Sequence, residues 1–301
     1  MSGIFLALFL GLQGGASARL ESPYRRVVAR ALERTEADLM AAARFDVDHS
    51  RWEDPWVVVT EHYEVRSTRS YSQARTIADS SEFLRREFVK LLGEGRGGRT
   101  ARQAIWIFPN IGDYNRFGNA NGAEHSSMHG SYYASGDAAQ PVATYENGNP
   151  TLLGMWITHS AVHQFLEQSF GAQRDTWIDE GLASYFSLFW DWRYGALELE
   201  RIQKTRAFIP LARLVREPIQ AYVGQAQERF IELGMLFHFL LNSCEATKNG
   251  ASGDPSTGPF QEFLRAAVRG QDVSGTEFMR AFEEAGELLE EDFKEFDFAK
   301  Q

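Results

Sequence analysis

The chain has 301 residues, 44% hydrophobic and 24% charged, enough to bury a sizeable core in one large domain or two lobes. Its formal net charge of −10 argues against a nucleic-acid partner, because polyphosphate binding needs an excess of Lys and Arg. A single cysteine, Cys244, excludes an intrachain disulfide and a cysteine-based metal site.

Residues 1–18 hold an apolar run from Ile4 to Leu12 and end in Ala16-Ser17-Ala18, the pattern of a secretory signal with its cleavage site. The run is too short to span a bilayer. The expectation is an exported protein, periplasmic, in the cell envelope or extracellular, with no integral membrane span once the signal is removed. Residues 19–53 include SPYRRVVARALERTEADLMAAARF, whose apolar spacing predicts a helix, followed by a linker.

Residues 54–149 read as an α/β sheet lobe. WVVVTEHYEVRST, from Trp56 to Thr68, predicts a strand or a hairpin arm. Helical spacing returns over 70–93 and stops at the glycine-rich turn Gly93 to Gly98. QAIWIFP, from Gln103 to Pro109, predicts a buried strand. The Gly, Asn and Ser content of Gly118 to Gly130 predicts a loop, and SYYA and VATYEN predict two short strands beyond it. Helices dominate after Asn149, which is placed to cap a helix starting at Pro150. A helical region over 150–250 and C-terminal helices over 251–301 complete an α+β architecture, with a cleft expected between lobes.

The chemistry-bearing stretch is THSAVHQFLEQSFGAQRDTWIDEGLASYF, Thr158 to Phe186. His159 and His163 are four residues apart, so on a helix they lie about 40° apart around the axis and can reach one ion. Glu180 follows His163 by 17 residues, enough for a turn around Gly171 and a second helix that crosses the first. Two neutral imidazoles and a carboxylate form the ligand set of a catalytic zinc with a fourth position open. Zn2+ is the cofactor this set would take, although two histidines so spaced on a helix are more often satisfied by backbone or carboxylate partners.

The same stretch resembles the gluzincin metallopeptidases, in which HExxH on one helix is completed by a Glu in a W-x-x-E-G-x-A-x-[YF] segment on the next. More closely it resembles the bacterial peptidase-MA-like proteins of the DUF1570 group. The resemblance runs from about Trp56 to Leu241 and includes IGDYNRFG (Ile111 to Gly118), GSYYA (Gly130 to Ala134) and RFIELGMLFHFLL (Arg229 to Leu241). It implies a gluzincin-like fold, with a mixed sheet lobe, paired metal-ligand helices and a helical C-terminal part. It also implies zinc ligation by His159, His163 and Glu180. Asp179 would stand behind the ligands, and Trp177, Gly181 and Ala183 would serve the packing of the two helices. Gly130, Ser131, Tyr132 and Tyr133 match an edge strand that aligns an extended polypeptide by main-chain hydrogen bonds.

Two departures from the family pattern bear on activity. Ser160 stands where the family keeps its general-base Glu, and a serine hydroxyl is not a base near neutral pH. Phe230 stands where related sequences carry a Tyr that stabilises an oxyanion, with Tyr222 the alternative donor. The leading expectation is a degenerate metallopeptidase that holds zinc and binds an extended polypeptide or a cell-envelope protein without efficient hydrolysis. The alternatives are an active zinc hydrolase with a different base, and a metal-free binding or structural module of the envelope.

Other residues admit two readings. Glu167, four residues after His163, is either a partner that orients that ligand or part of a solvated helix face. Glu124, His125 and His129 form a second metal group or a solvated loop over the cleft, with Glu124 the candidate replacement base. His238 reads as a core histidine with one satisfied nitrogen. EEAGELLEEDFKEF reads as an amphipathic helix with a solvated acidic face.

Overall fold

The computed structural model describes residues 49, 51–95, 102–120, 131–132, 141–171, 176–205, 207–217, 224–242, 258–273, 279, 282 and 289–296. The expected signal segment and N-terminal helix lie outside these residues. So do Glu124, His125, His129, Gly130, Tyr133, Tyr222 and Cys244.

The elements in chain order are β1 (Trp56–Val59), β2 (Tyr63–Ser67), α1 (Tyr71–Leu92), β3 (Gln103–Phe108), α2 (Ile111–Ala120), β4 (Ser131–Tyr132), β5 (Val142–Tyr145), α3 (Pro150–Phe170), α4 (Thr176–Leu188), α5 (Trp192–Lys204), α6 (Leu211–Leu214), α7 (Ala226–Asn242) and α8 (Pro259–Ala267). This is a mixed α+β fold. Among the described residues, no helix is long and apolar enough to cross a membrane.

The sheet order is β1-β2-β3-β5-β4. The stretch from Trp56 to Thr68 is a hairpin, closed by the Thr60 amide donating to the Tyr63 carbonyl at 2.9 Å and paired antiparallel from Trp56↔Ser67 to Val59↔Glu64. β3 runs parallel to both β2 and β5, while β4 returns antiparallel along β5 at the end of the sheet. Period-two alternation explains which face each side chain serves. Val65, Ile105, Ile107 and Val142 pack with Ala74, Ile77 and Ala78 of α1 and with Leu153, Ile157 and Ala161 of α3. Phe108 and Ala143 face the other way, against Tyr114 of α2 and Trp52.

Gly118 to Ala120 belong to α2 and not to the loop expected from their composition. The helix extends through a glycine there because Tyr114 and Phe117 pack against Phe108 and hold it in place.

α3 joins the two halves of the molecule. Leu153, Ile157 and Ala161 sit in the sheet core, whereas Val162, Phe165 and Leu166 enter a second core built with α1, α4 and α7. Its ends are as expected. The Asn149 side chain accepts from the Leu152 amide at 3.1 Å, Pro150 is the first helical residue, and Gly171 ends the helix at φ 90°, its amide donating to the Glu167 carbonyl. A positive φ there suits glycine and turns the chain back toward α4.

The C-terminal part is fastened to the end of α1 by side chains of α8 and of the turn after it. Gln261 and Arg265 donate to the Leu91 carbonyl at 2.6 and 3.0 Å, and Arg269 donates to the Leu92 carbonyl at 2.8 Å. These donors satisfy carbonyls that a helix C-terminus leaves without intrahelical partners.

Glu232 on α7 is fully buried and accepts from the Ile209 amide through both oxygens at 3.0 and 3.1 Å. Glu290 accepts from the Leu211 amide at 2.9 Å. Two carboxyl groups from distant segments thus bind the backbone that leads into the short helix α6.

Candidate metal centre

α3 presents His159 and His163 on one face, and α4 brings Glu180 to them. The two Nε2 atoms are 3.2 Å apart. Glu180 Oε2 lies 3.5 Å from His159 Nε2 and Oε1 lies 3.6 Å from His163 Nε2. The side chains are 26%, 22% and 21% exposed, so the group is set into the surface yet open to solvent. This group could hold a metal ion, and among the described residues it is the one group of potential ligands that converges in this way.

Bond lengths test the fit. A tetrahedral ion bonded at about 2.0–2.1 Å holds its donor atoms about 3.3–3.5 Å apart. The imidazole nitrogens at 3.2 Å, and the two different Glu180 oxygens at 3.5 and 3.6 Å from one nitrogen each, lie near that value; with one donor atom per residue the group spans at most 4.8 Å, and three donors leave a fourth position free. The donor set of two imidazoles and one carboxylate also suits a borderline-soft divalent ion.

The electrostatics favour an ionised carboxylate. Burial alone would raise the Glu180 carboxyl. The hydrogen bond from His159 and the charges of His159, His163 and Arg229 outweigh it and hold the group at about 2. His159 Nδ1 is buried and has no hydrogen-bond partner among the described residues. Its tautomer is therefore not fixed in the way usual for metal-binding histidines.

The approach of α4 to α7 decides where Glu180 sits. A Cβ on Gly181 would lie 2.0 Å from Phe237 Cε2 and 2.4 Å from its Cζ. Phe237 is fully buried and cannot swing away. Gly181→Ala is therefore expected to lower stability by about 1–3 kcal/mol through overpacking, measured by the midpoint of denaturant unfolding. A midpoint equal to that of the parent would show that the two helices separate freely and that the glycine is not needed for their approach.

The other sequence-derived residues fall as follows. Ser160 lies on α3 beside His159 and is 5% exposed. Phe230 on α7 stands against the first ligand, its ring centroid 5.6 Å from that of His159. Phe230 thus adjoins the group by ring contact, and Ser160 by its place in the chain. Asp179 and Glu167 are partly exposed and are not among the converging ligands. Ser131 and Tyr132 form β4, paired as Ser131↔Ala143 and Tyr132↔Val142, and β4 is outermost in the sheet order. α3 packs against both β4 and β5, so this edge lies alongside the helix that carries the histidines.

His238 is a half-buried side chain whose ring lies 4.1 Å from that of Trp192 and whose Nδ1 meets Asn242 Nδ2 at 3.3 Å. Burial pushes it down to about 4, which keeps it neutral at physiological pH. This is the core histidine the sequence suggested.

Two residues at the site escaped the sequence reading. Arg229, 3% exposed, places a buried positive charge near Glu180. A single Arg in the first turn of an amphipathic helix reads as solvated, and only the packing of α7 on α4 reveals otherwise. Trp190 donates from its indole Nε1 to Thr158 Oγ1 at 2.7 Å, buttressing the residue before His159. The signal for that contact was no more than a tryptophan just past the end of α4.

Compared with models of known protein families and with curated proteins, the chain matches none.

Proposed function

We propose that the chain is an exported, gluzincin-like zinc metallopeptidase homologue that keeps its metal and has lost efficient peptide hydrolysis. The observation that carries this reading is the convergence of His159, His163 and Glu180 from two helices, with one ligand atom from each residue within 4.8 Å of the others. Zinc held there supplies a Lewis acid that polarises an oxygen ligand.

The residues around it determine what can follow. A peptidase at this position needs a carboxylate to take a proton from the attacking water, and Ser160 offers only a short neutral hydroxyl. A hydrogen-bond donor is needed for the developing oxyanion, and Phe230 has none to give. The β4 edge can still pair with an extended polypeptide through main-chain groups. The site therefore retains the means to bind and orient a chain but lacks the group that moves the proton. Export rests on the signal-like segment at residues 1–18.

Elemental analysis of the purified protein beside His159→Ala tests the reading. About one zinc per chain is expected, lost in the variant, and chelation should lower the melting temperature because the metal binds only the folded ligands. No zinc in either protein after incubation with zinc would overturn the reading in favour of a metal-free module. Chelation-sensitive peptide cleavage by the unaltered protein would instead favour an active hydrolase with a different base.

A further inference from the structure

Trp190 ties the helix that carries Glu180 to the helix that carries the histidines. Its amide donates to the Ser187 carbonyl at 3.2 Å, and the Asp191 side chain after it accepts from the Tyr194 amide at 3.1 Å, so the residue is held between the last turn of α4 and the start of α5. From there the indole meets α3 at two positions one turn apart. A Cβ on Gly154 would lie 2.4 to 2.5 Å from three atoms of the ring, so the approach needs a glycine. Nε1 donates to Thr158 Oγ1 at 2.7 Å, and Thr158 is 1% exposed. Trp190 also packs against both of the cores that α3 joins.

We infer that Trp190 is a positioning residue for the metal group, holding α3 at the rotation that turns His159 and His163 toward Glu180. Thr158 is adjacent in sequence to His159 on the same helix, so α3 cannot turn about its axis without moving both. A turn of about 10° carries an atom about 6 Å from the axis through about 1 Å. Metal–ligand distances tolerate about 0.2 Å, so a rotation of that size is enough to open the ligand group. Apolar contacts are non-directional and allow helices to slide, whereas a bond from the indole N–H to one hydroxyl fixes a single rotation. Glu180 is held separately, by the approach of α4 to α7 at Gly181. The inference rests on the zinc reading above and deepens it by naming what sets the affinity of that same site.

The test measures the zinc affinity of the full-length protein by competition with a chromophoric chelator, beside the denaturant midpoint of each variant. Thr158→Val removes the acceptor at nearly constant volume and should weaken zinc binding about 10–100-fold, the range for partners that orient metal ligands. Thr158→Ser keeps the hydroxyl and should stay close to the parent. Trp190→Phe removes the donor and should weaken binding at least as much as Thr158→Val. Arg265→Met loses a tether between α8 and the end of α1 and controls for general loosening, so it should lower the midpoint and leave the affinity unchanged. A folded Thr158→Val or Trp190→Phe that binds zinc as tightly as the parent overturns the inference, because the contact then serves the packing of the cores alone. Either variant decides the matter if the other does not fold. An equal loss of affinity in Thr158→Ser or in Arg265→Met also overturns it. Each of these failures leaves the zinc reading intact, whereas a parent chain that takes up no zinc overturns both.

Discussion

Ser160→Glu is expected to raise zinc-dependent peptide cleavage by about 10²–10⁴-fold over the unaltered chain, the range associated with a positioned general base. The ligands on either side of it on α3 are already in place, with the Nε2 atoms of His159 and His163 3.2 Å apart. On the metallopeptidase reading, what is absent is a group with the basicity to take the proton and the reach to meet the water. Ser160 is 5% exposed, so the longer side chain must find a path past its neighbours to the ligand group. Ser160→Gln controls for shape, since it fills the same space without a basic oxygen and should stay inactive. Phe230→Tyr adds a hydroxyl on the ring that faces His159, and combined with Ser160→Glu it should contribute up to about 10²–10³ more. Cleavage by the double variant that vanishes on chelation is the expected result. Silence from the double variant while it still binds one zinc would mean that the site holds a metal for some purpose other than hydrolysis.

Local signals made the candidate ligands legible. His159 and His163 share a helix whose start was marked by Asn149 and Pro150 and whose end was marked by Gly171, so their common face followed from periodicity alone. Glu180 needed one further step, a turn that folds the next helix back, and Gly171 supplied it. The order of the strands was less accessible. Gln103 to Phe108 read correctly as a buried strand, yet nothing local says that β3 lies between β2 and β5 while β4 goes to the edge.

Arg229, Thr158 with Trp190, and Glu232 with Ile209 were invisible for a related reason. Each depends on two segments far apart in sequence meeting in space, and a charged residue in an amphipathic helix carries no mark of which way it will be packed. The span of α2 was misjudged where aromatic packing overrode composition, as Tyr114 and Phe117 keep Gly118 helical. The residues most dependent on tertiary contact were the ones a single sequence hid.

Glu232 provides the second large effect. The stability of the fold is expected to fall as pH rises from about 4.5 to about 8, and Glu232→Gln should abolish that fall. Burial is the main reason that the carboxyl is pushed up from 4.5 to about 8, with the charges of Glu228 and Glu290 adding to it and the Ile209 amide and Lys294 opposing. Below pH 4.5 the group is protonated in both folded and unfolded chains and exerts no pH-dependent effect. Between the two values the unfolded chain loses this proton while the folded chain keeps it, so the unfolded state binds fewer protons and stability declines with pH. Above about 8 the loss is complete, on the order of a few kcal/mol. The Glu180 carboxyl, held at about 2, acts in the opposite sense in a lower window, between about 2 and 4.5, so the two effects separate in pH. Glutamine retains an oxygen to accept from the Ile209 amide and adds no charge, and any constant cost of its buried NH2 cancels when the pH dependence is compared. Denaturant unfolding at pH 5 and pH 9 should therefore show the variant gaining on the parent by a few kcal/mol at the higher pH. Equal slopes with pH in the two proteins would show that Glu232 is ionised in the fold at neutral pH and that its buried charge is compensated by the groups around it.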